Sequence, residues 1–199
     1  MANPILTVVA GCNGSGKSSF SSALTPENTP PFDYDKEFLN IYKREYDSDV
    51  RDVVAHNKTR QLLEEKVKNS IDTSSSFTYE TNFNSTPLFW PEKFKDAKFK
   101  LRLFYFCLNS IDEAKRRVQV RVENGGHHVP PDEIELRYFL GYEHLNKYWK
   151  YFDELYLFET SAYKEEPRLI LTSIEDQVER EDKIPDYLNN LIPDILSER

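Results

Sequence analysis

The segment from Ile5 to Ser19 constrains the fold more than any other part of this chain. It begins with the continuous apolar run "ILTVVA", which is typical of a β-strand buried on both faces. The run "GCNGSGKSS" follows at once and fits the pattern G-x-x-x-x-G-K-[ST]. We expect this pattern by chance in roughly one chain in a hundred of this length, and less often after a strand. The segment therefore predicts a strand, a phosphate-binding loop and a helix.

A loop of this kind holds phosphates through its backbone. Successive N–H groups form a nest for the β- and γ-phosphates, and a Cβ in place of a glycine hydrogen would block their approach. The helix that starts near Lys17 directs its positive end at the same anion. The candidate nucleotide-binding residues are Gly11, Asn13, Gly14, Ser15, Gly16, Lys17, Ser18 and Ser19. The motif thus predicts ATP and Mg²⁺ as cofactors, with Ser18 as the protein ligand of the metal. The alternative is a glycine-rich turn with an incidental lysine.

The rest of the chain alternates between extended and helical patterns. The extended runs are "PFDY", "SSFTYETNF", "KLRLFYFCLN", "ELYLFET" and "RLILT". The helical patterns are "DKEFLNIYKREY", "VRDVVAHNKTRQLLEEKVKNSI", "SIDEAKRRVQVRVEN" and "PDEIELRYFLGYEHLNKYWKYF". Ser110, with Glu113 three positions later, predicts the N-cap of the third helix. In the fourth, an apolar stripe recurs every three or four residues: Ile134, Tyr138, Tyr142, Leu145, Trp149 and Phe152. This order predicts an α/β fold with a parallel sheet of about five strands and helices on both faces. We expect one domain over residues 1–172 and an acid-rich appendage over residues 173–199, either packed or frayed.

Charge and composition exclude several classes of protein. The chain of 199 residues has a net charge of -8, which argues against a general nucleic-acid binder. No apolar run is long enough for a membrane span, and the N-terminus lacks the pattern of a signal peptide, so we expect a cytoplasmic protein. Cys12 and Cys107 fit no metal-ligand spacing, so neither zinc nor a disulfide is predicted.

The segment "RVENGGHHVPPDE", residues 121–133, predicts a lid between two helices. Its adjacent histidines cannot easily bind one metal ion, because neighbouring side chains point in different directions. Arg117 and Arg121 lie one helical turn apart just before the glycines and are candidates to clamp phosphates when the loop closes. The alternative is that Arg117 pairs with Glu113 and Arg121 is solvated.

The runs "GCNGSGKSSF", "FTYETNF" and "RVQVRVENGGHHVPPDEIELRYFLGYEHL" resemble the zeta toxin family of P-loop kinases. The similarity covers about Ile5 to Thr172, and the glycine-histidine-proline segment is its specific part. The resemblance implies an adenylate-kinase-like fold and transfer of the ATP γ-phosphoryl group to a small-molecule hydroxyl. In some members the acceptor is UDP-N-acetylglucosamine. It also implies that an antitoxin protein is a possible partner.

The resemblance also implies roles for individual residues. Asp35 would be the general base, and Lys17, Arg117 and Arg121 would act on the transferred phosphate. The implied substrate-binding residues are Glu80, Thr81, His128 and Arg137. The helix after the lid departs from the pattern, because Glu135, Leu136 and Leu140 stand where short members often have arginines.

Structural roles remain open for the two main carboxylates. Asp35 opens a helical pattern and could be its N-cap, while Glu80 could bond a neighbouring loop at the end of its strand. Because ligands of open α/β sheets bind beyond the carboxyl ends of the strands, catalysis is favoured for Asp35, while both roles stay open for Glu80. Asp33 and Glu80 are the alternative bases. The alternative functions are an ATP-binding switch or slow ATPase acting through a protein partner and, with less support, a polynucleotide 5′-kinase.

Overall fold

A six-stranded sheet organises the protein in a computed structural model that describes residues 3–25, 30–126 and 128–198. The strands are β1 (Ile5–Ala10), β2 (Phe77–Thr81), β3 (Lys100–Cys107), β4 (Glu154–Glu159), β5 (Arg168–Ile174) and β6 (Gln177–Arg180). Their spatial order is β2-β1-β3-β4-β5-β6. The predicted run "PFDY" contributes a single parallel bridge from Phe32 to Tyr79 of β2.

The first four strands are parallel, and the last two run antiparallel to their neighbours. The expected α/β fold is thus confirmed, with one more strand than the five expected. A parallel return after β4 would need a crossover of about a dozen residues or more. Only residues 160–167 separate Glu159 from Arg168, so β5 has to return antiparallel. Glu175 and Asp176, both at positive φ, then form the tight turn into β6.

Eight helices connect and cover the strands of the described chain. They are α1 (Lys17–Phe20), α2 (Tyr34–Tyr42), α3 (Arg51–Thr73), α4 (Phe89–Asp96), α5 (Ile111–Glu123), α6 (Pro131–Tyr148), α7 (Leu188–Leu191) and α8 (Pro193–Ser197). Short 3₁₀ turns follow α1 and α6. Within the described ranges, every helix is too short or too polar to cross a membrane.

Two helix N-caps decide where α5 and α2 begin. Ser110 caps α5 as predicted, with its Oγ accepting a hydrogen bond from the Glu113 amide at 3.2 Å. The N-cap of α2 is Asp33, whose carboxylate accepts from the Lys36 amide at 3.1 Å. The alternative role of Asp35 as N-cap is therefore wrong, because the helix starts at Tyr34, two residues earlier than that role requires. Asp35 lies in the first turn of α2.

The larger part of the core covers one face of the sheet. Apolar residues of α3, α4, α5 and α6 pack there against β1, β2 and β3. The predicted α6 stripe is buried throughout: Ile134, Tyr138, Tyr142 and Leu145, followed by Trp149 and Phe152. On the opposite face, Phe20 and Leu24 pack on a smaller cluster that contains Val9 and Phe106. Helices thus flank the sheet.

The C-terminal segment packs on this core rather than fraying. Leu188, Ile192 and Ile195 are fully buried in the larger cluster. The expected boundary between residues 172 and 173 falls inside β5. The division into a domain and an appendage stays a prediction.

Candidate active site

The carboxyl ends of β1 and β2 open into a cavity of about 1070 Å³. Every predicted site residue except Gly11 lines it: the loop residues from Asn13 to Ser19, Asp35, Glu80, Thr81, Arg117, Arg121, His128 and Arg137. His127 lies outside the described residues. The fold therefore gathers residues spread over more than a hundred positions of the sequence around one cavity.

The glycines of the loop after β1 are required by protein contacts as well as by any ligand. Gly11 has φ +140°, and a Cβ there would lie 2.6 Å from the carbonyl oxygen of Phe106. Gly14 has φ +81°, and a Cβ there would lie 2.9 Å from the carbonyl oxygen of Ala114. Other residues at these two positions would force the loop away from β3 and α5.

Lys17 is held inside the loop. Its Nζ donates to the carbonyl oxygens of Gly11 at 2.7 Å and Cys12 at 3.0 Å, and to Oδ1 of Asn82 at 3.1 Å. Burial lowers the pKa of its ammonium. All three acceptors are neutral, and no ion pair between described residues includes Lys17. The loop thus encloses a positive charge that suits an anion.

Ser18 lies between two carboxylates. Its Oγ is 2.6 Å from Oε2 of Glu80 and 3.0 Å from Oδ2 of Asp33, and the single hydroxyl proton is shared between them. Ser21 donates to the other oxygen of Glu80 at 2.7 Å. Burial raises the pKa of Glu80. Glu80 is therefore hydrogen-bonded to the phosphate loop, which is the structural role considered for it from the sequence. The carboxylate oxygens of Glu80 and Asp33 lie beside Ser18, the predicted metal ligand, and are of the kind that bind Mg²⁺.

Asp35 differs from these carboxylates because the described structure gives it no hydrogen-bond partner. It is half-buried at the start of α2 and lines the cavity. A carboxylate in such a place is available to a ligand hydroxyl.

Arg117 pairs with Glu113, as the structural alternative predicted, and also reaches the phosphate loop. Its Nε donates to Glu113 at 2.6 Å, while its other nitrogens reach the carbonyl oxygens of Ser161 at 2.8 Å and Gly14 at 3.4 Å. Its side chain is only 9% exposed. Hydrogen bonds from Arg116 and Arg117 lower the pKa of Glu113 to about 2. The pair with Glu113 therefore orients Arg117 toward the loop instead of removing it from the site.

Arg137 also reaches the phosphate loop. It donates to Oδ1 of Asn13 at 3.1 Å and pairs with Glu133 at 2.6 Å. Arg121, at the end of α5, and the exposed His128 line the cavity from the predicted lid. All three arginines thus belong to the wall that carries the loop and the lid.

Sequence reasoning missed Asn82, which holds Lys17. The next residue, Phe83, is fully buried at φ +60°, a costly conformation for a residue other than glycine. The Phe83 amide donates to Oγ1 of Thr81 at 3.0 Å, and its carbonyl oxygen lies 2.9 Å from Nδ1 of His144. These contacts fix the backbone beside Asn82. The run of polar residues "ETN" at a strand end was the available signal.

The lining of the cavity comes from two sides of the phosphate loop, which we name for the roles proposed below. The nucleoside arm comprises Arg117, Thr160 and residues 162–165. The acceptor arm comprises residues of α2, α3 and the segment from Tyr79 to Trp90. Lys17 and Ser18 contact three residues on the acceptor side, Asn82, Asp33 and Glu80.

The strand order and the loop after β1 together define a P-loop fold, and solved structures agree with that fold. No protein-family model and no curated protein matches the chain. It is similar to a chain of the PezAT chromosomal toxin–antitoxin system of Streptococcus pneumoniae, with a TM-score of 0.61 and 14% identity over 96% of this chain and 79% of that one.

A second similar structure is the AvrRxo1-ORF1:AvrRxo1-ORF2 complex with sulphate ions. Its TM-score is 0.69 at 12% identity, over 96% of this chain and 64% of that one. The same pair with ATP gives 0.64 at 12% identity, over 90% and 61%. Identities this low establish the fold alone. The chain has the zeta-toxin-like P-loop kinase fold, as the resemblance implied.

Proposed function

We propose that this protein is an ATP-dependent phosphotransferase that moves the γ-phosphoryl group to a small-molecule hydroxyl. The observation that carries the proposal is the Lys17 ammonium, which is enclosed by neutral oxygens at the junction of the two arms. A carboxylate of α2, Asp35, lines the acceptor side of that junction.

The residues of the loop fit ATP and Mg²⁺. Ser15 has a fully buried Oγ without a hydrogen-bond partner among the described residues, and the three hydrogen-bond acceptors of Lys17 are neutral oxygens. Ser18, Asp33 and Glu80 offer the oxygen atoms that Mg²⁺ prefers, directly or through water. When bound, ATP supplies the phosphoryl group, and Mg²⁺ neutralises charge on its phosphates.

The side chains would divide the chemistry between them. Asp35 accepts the proton of the acceptor hydroxyl, whose oxygen forms the new bond to the γ-phosphorus as the bond to the β-phosphate oxygen breaks. Lys17 stabilises the negative charge at the transferred group. Asn82 keeps Lys17 at the junction, and is a positioning residue.

The lid-side arginines would supply the remaining charge. Arg117 is already oriented by Glu113, and Arg137 by Glu133. Arg121 would join them when the connection between α5 and α6 closes over the phosphates. Bidentate guanidinium groups suit the spread charge of a loose phosphoryl transition state.

The identities of the acceptor and of a protein partner are two further proposals. The resemblance to zeta toxins makes UDP-N-acetylglucosamine one candidate acceptor, and His128 and Arg137 candidate contacts. Two of the similar structures come from complexes with a second protein, one of them a toxin–antitoxin system, which supports an antitoxin as partner. A cytoplasmic location also stays a prediction.

Transfer from γ-labelled ATP tests the proposal. The protein is incubated with Mg²⁺, labelled ATP and separate pools of sugars, nucleotide sugars, nucleosides and 5′-hydroxyl oligonucleotides. We expect label in a small molecule. Label only in oligonucleotides would make the protein a polynucleotide kinase, and bound ATP without transfer to any acceptor would favour the nucleotide switch.

A further inference from the structure

The charged groups are distributed unevenly between the two arms. Three carboxylates lie where the acceptor arm meets the loop, those of Asp33, Asp35 and Glu80. Among the described residues that line this arm beyond Lys17, none is a lysine or an arginine, and His56 is the one side chain that could become a cation. The cationic side chains of the cavity line the loop, the lid and the nucleoside arm: Lys17, Arg117, Arg121, Arg137 and Lys164.

This distribution disfavours a second phosphate in the acceptor arm. A phosphate or diphosphate placed there would lose water beside carboxylates without gaining a cationic partner from that wall. Arg117 and Arg137 contact the phosphate loop, and each is already paired with a glutamate of its own helix, Glu113 and Glu133.

The neutral residues of the same wall favour a ring with hydroxyl groups. His56 stacks on Phe38 with ring centroids 4.1 Å apart and on Tyr34 at 6.1 Å. Trp90, half-buried, faces the cavity from the start of α4. Asn84, Ser85 and Thr86 add neutral hydrogen-bonding groups. Aromatic walls with a few neutral polar groups bind uncharged amphipathic rings.

We infer that the acceptor is an uncharged sugar, either free or as a neutral glycoside such as a nucleoside. The inference rests on the proposed function, since that function makes this arm the acceptor site. It departs from the nucleotide sugar that the resemblance suggests, because a diphosphate has no cationic partner in the arm.

Binding to the acceptor arm can be measured without any transfer. The chain has two tryptophans, and Trp149 is buried in the core while Trp90 lines the arm. In a Trp149→Phe background, fluorescence of Trp90 therefore reports on the arm. The probes are matched pairs: N-acetylglucosamine with its 1-phosphate and with UDP-N-acetylglucosamine, and uridine with uridine 5′-monophosphate.

We expect at least one neutral member to bind about 10-fold or more tightly than its phosphorylated counterpart. Tighter binding of the phosphorylated member in every pair, or no binding of any neutral member at millimolar concentration, would overturn the inference. Labelled transfer is measured separately in the same samples. A failure of the kinase proposal therefore appears as bound ligand without transfer, and a failure of the inference as the wrong order of affinities.

A charge added to the arm sharpens the test. Thr86→Lys places an ammonium on this wall and should tighten binding of the phosphorylated probes several-fold, leaving the neutral probes little changed. Gln61→Lys, on the exposed face of α3 outside the cavity, is the matched control and should alter neither. If Thr86→Lys fails to favour the phosphorylated probes, charge does not select the acceptor and the inference is wrong.

Discussion

The phosphate loop and the acceptor arm face the same cavity but are built differently. Around the loop the functional groups are already bonded to protein: Lys17 has three acceptors, Ser18 two carboxylates, and Arg117 three partners. In the acceptor arm, the Asp35 carboxylate has no such partner within the described chain. The loop is preorganised, whereas the arm offers groups for a ligand to use.

From this contrast we expect some substitutions to affect ATP binding and transfer together, and others to affect transfer alone. A change in the loop removes a contact that both nucleotide binding and transfer need. A change at Asp35 removes a group that only the acceptor needs. Substitutions in the two regions should therefore differ in their effect on ATP affinity, more than in their effect on turnover.

The largest effect is expected for Asp35→Asn. The amide keeps the size of the side chain but cannot take a proton, so transfer should fall by about 10² to 10⁴-fold. ATP affinity by calorimetry and the melting temperature should stay nearly unchanged, because Asp33 and not Asp35 caps α2. Glu37→Gln, in the same helical turn, is the control. Wild-type transfer by Asp35→Asn would move the base to Asp33 or Glu80.

Lys17→Ala should impair both ATP binding and transfer. Loss of the enclosed ammonium should lower transfer on the order of 10²-fold or more and also weaken ATP binding. Lys66→Ala, on the exposed face of α3, controls for the loss of a charge. Turnover equal to that of the control would remove the argument from the phosphate loop.

Asn82→Ala tests the connection between loop and arm. One of the three acceptors of Lys17 is lost, and we expect about a 10-fold fall in kcat, since a hydrogen bond to a charged group contributes roughly 1.5 kcal/mol. Asn82→Asp keeps an oxygen for Lys17 and should retain more activity than the alanine variant. Equal losses in the two variants would mean that Asn82 does not act through Lys17.

The smallest effect is expected for Ser110→Ala, which lies outside both regions. Loss of the α5 cap should lower the free energy of unfolding by about 1 kcal/mol and the Tm by about 2–4 °C. Transfer per folded molecule should not change. Ser110→Asp should restore the stability, because aspartate caps equally well. A loss of turnover in both variants would show that the start of α5 positions Arg117 more directly than its contacts indicate.

Local patterns predicted the parts of the molecule that local physics determines. The loop glycines, the Ser110 cap and the apolar stripe from Ile134 to Phe152 all follow from spacing along the chain. The antiparallel direction of β5 does not follow from spacing, because an apolar run has the same pattern in a parallel and in an antiparallel strand. Helix α4 was not among the predicted helices. Its Pro91 lies in the first turn, where the missing N–H of proline is not needed.

The site was predictable where it lies on one segment and less so where segments meet. The bonds from Lys17 to Asn82 and from Ser18 to Glu80 each join residues more than sixty positions apart. Neither residue type nor spacing specifies such a bond. The choice between Asp33 and Asp35 as the cap of α2 is a shift of two residues in the start of the helix, which the alternation of "FDYDKEF" leaves ambiguous.

The two cysteines make the protein suitable for labelling with thiol-reactive probes. Cys12 and Cys107 are almost fully buried, and burial raises the pKa of Cys12 to about 11 and that of Cys107 well above its usual range. Both thiols should therefore react slowly with maleimides in the folded state. Cysteines introduced at Ser85 and Lys164, one on each arm, would be the two rapidly labelled positions. A fluorophore pair there would measure the width of the cavity with and without nucleotide, in molecules whose own thiols stay unmodified.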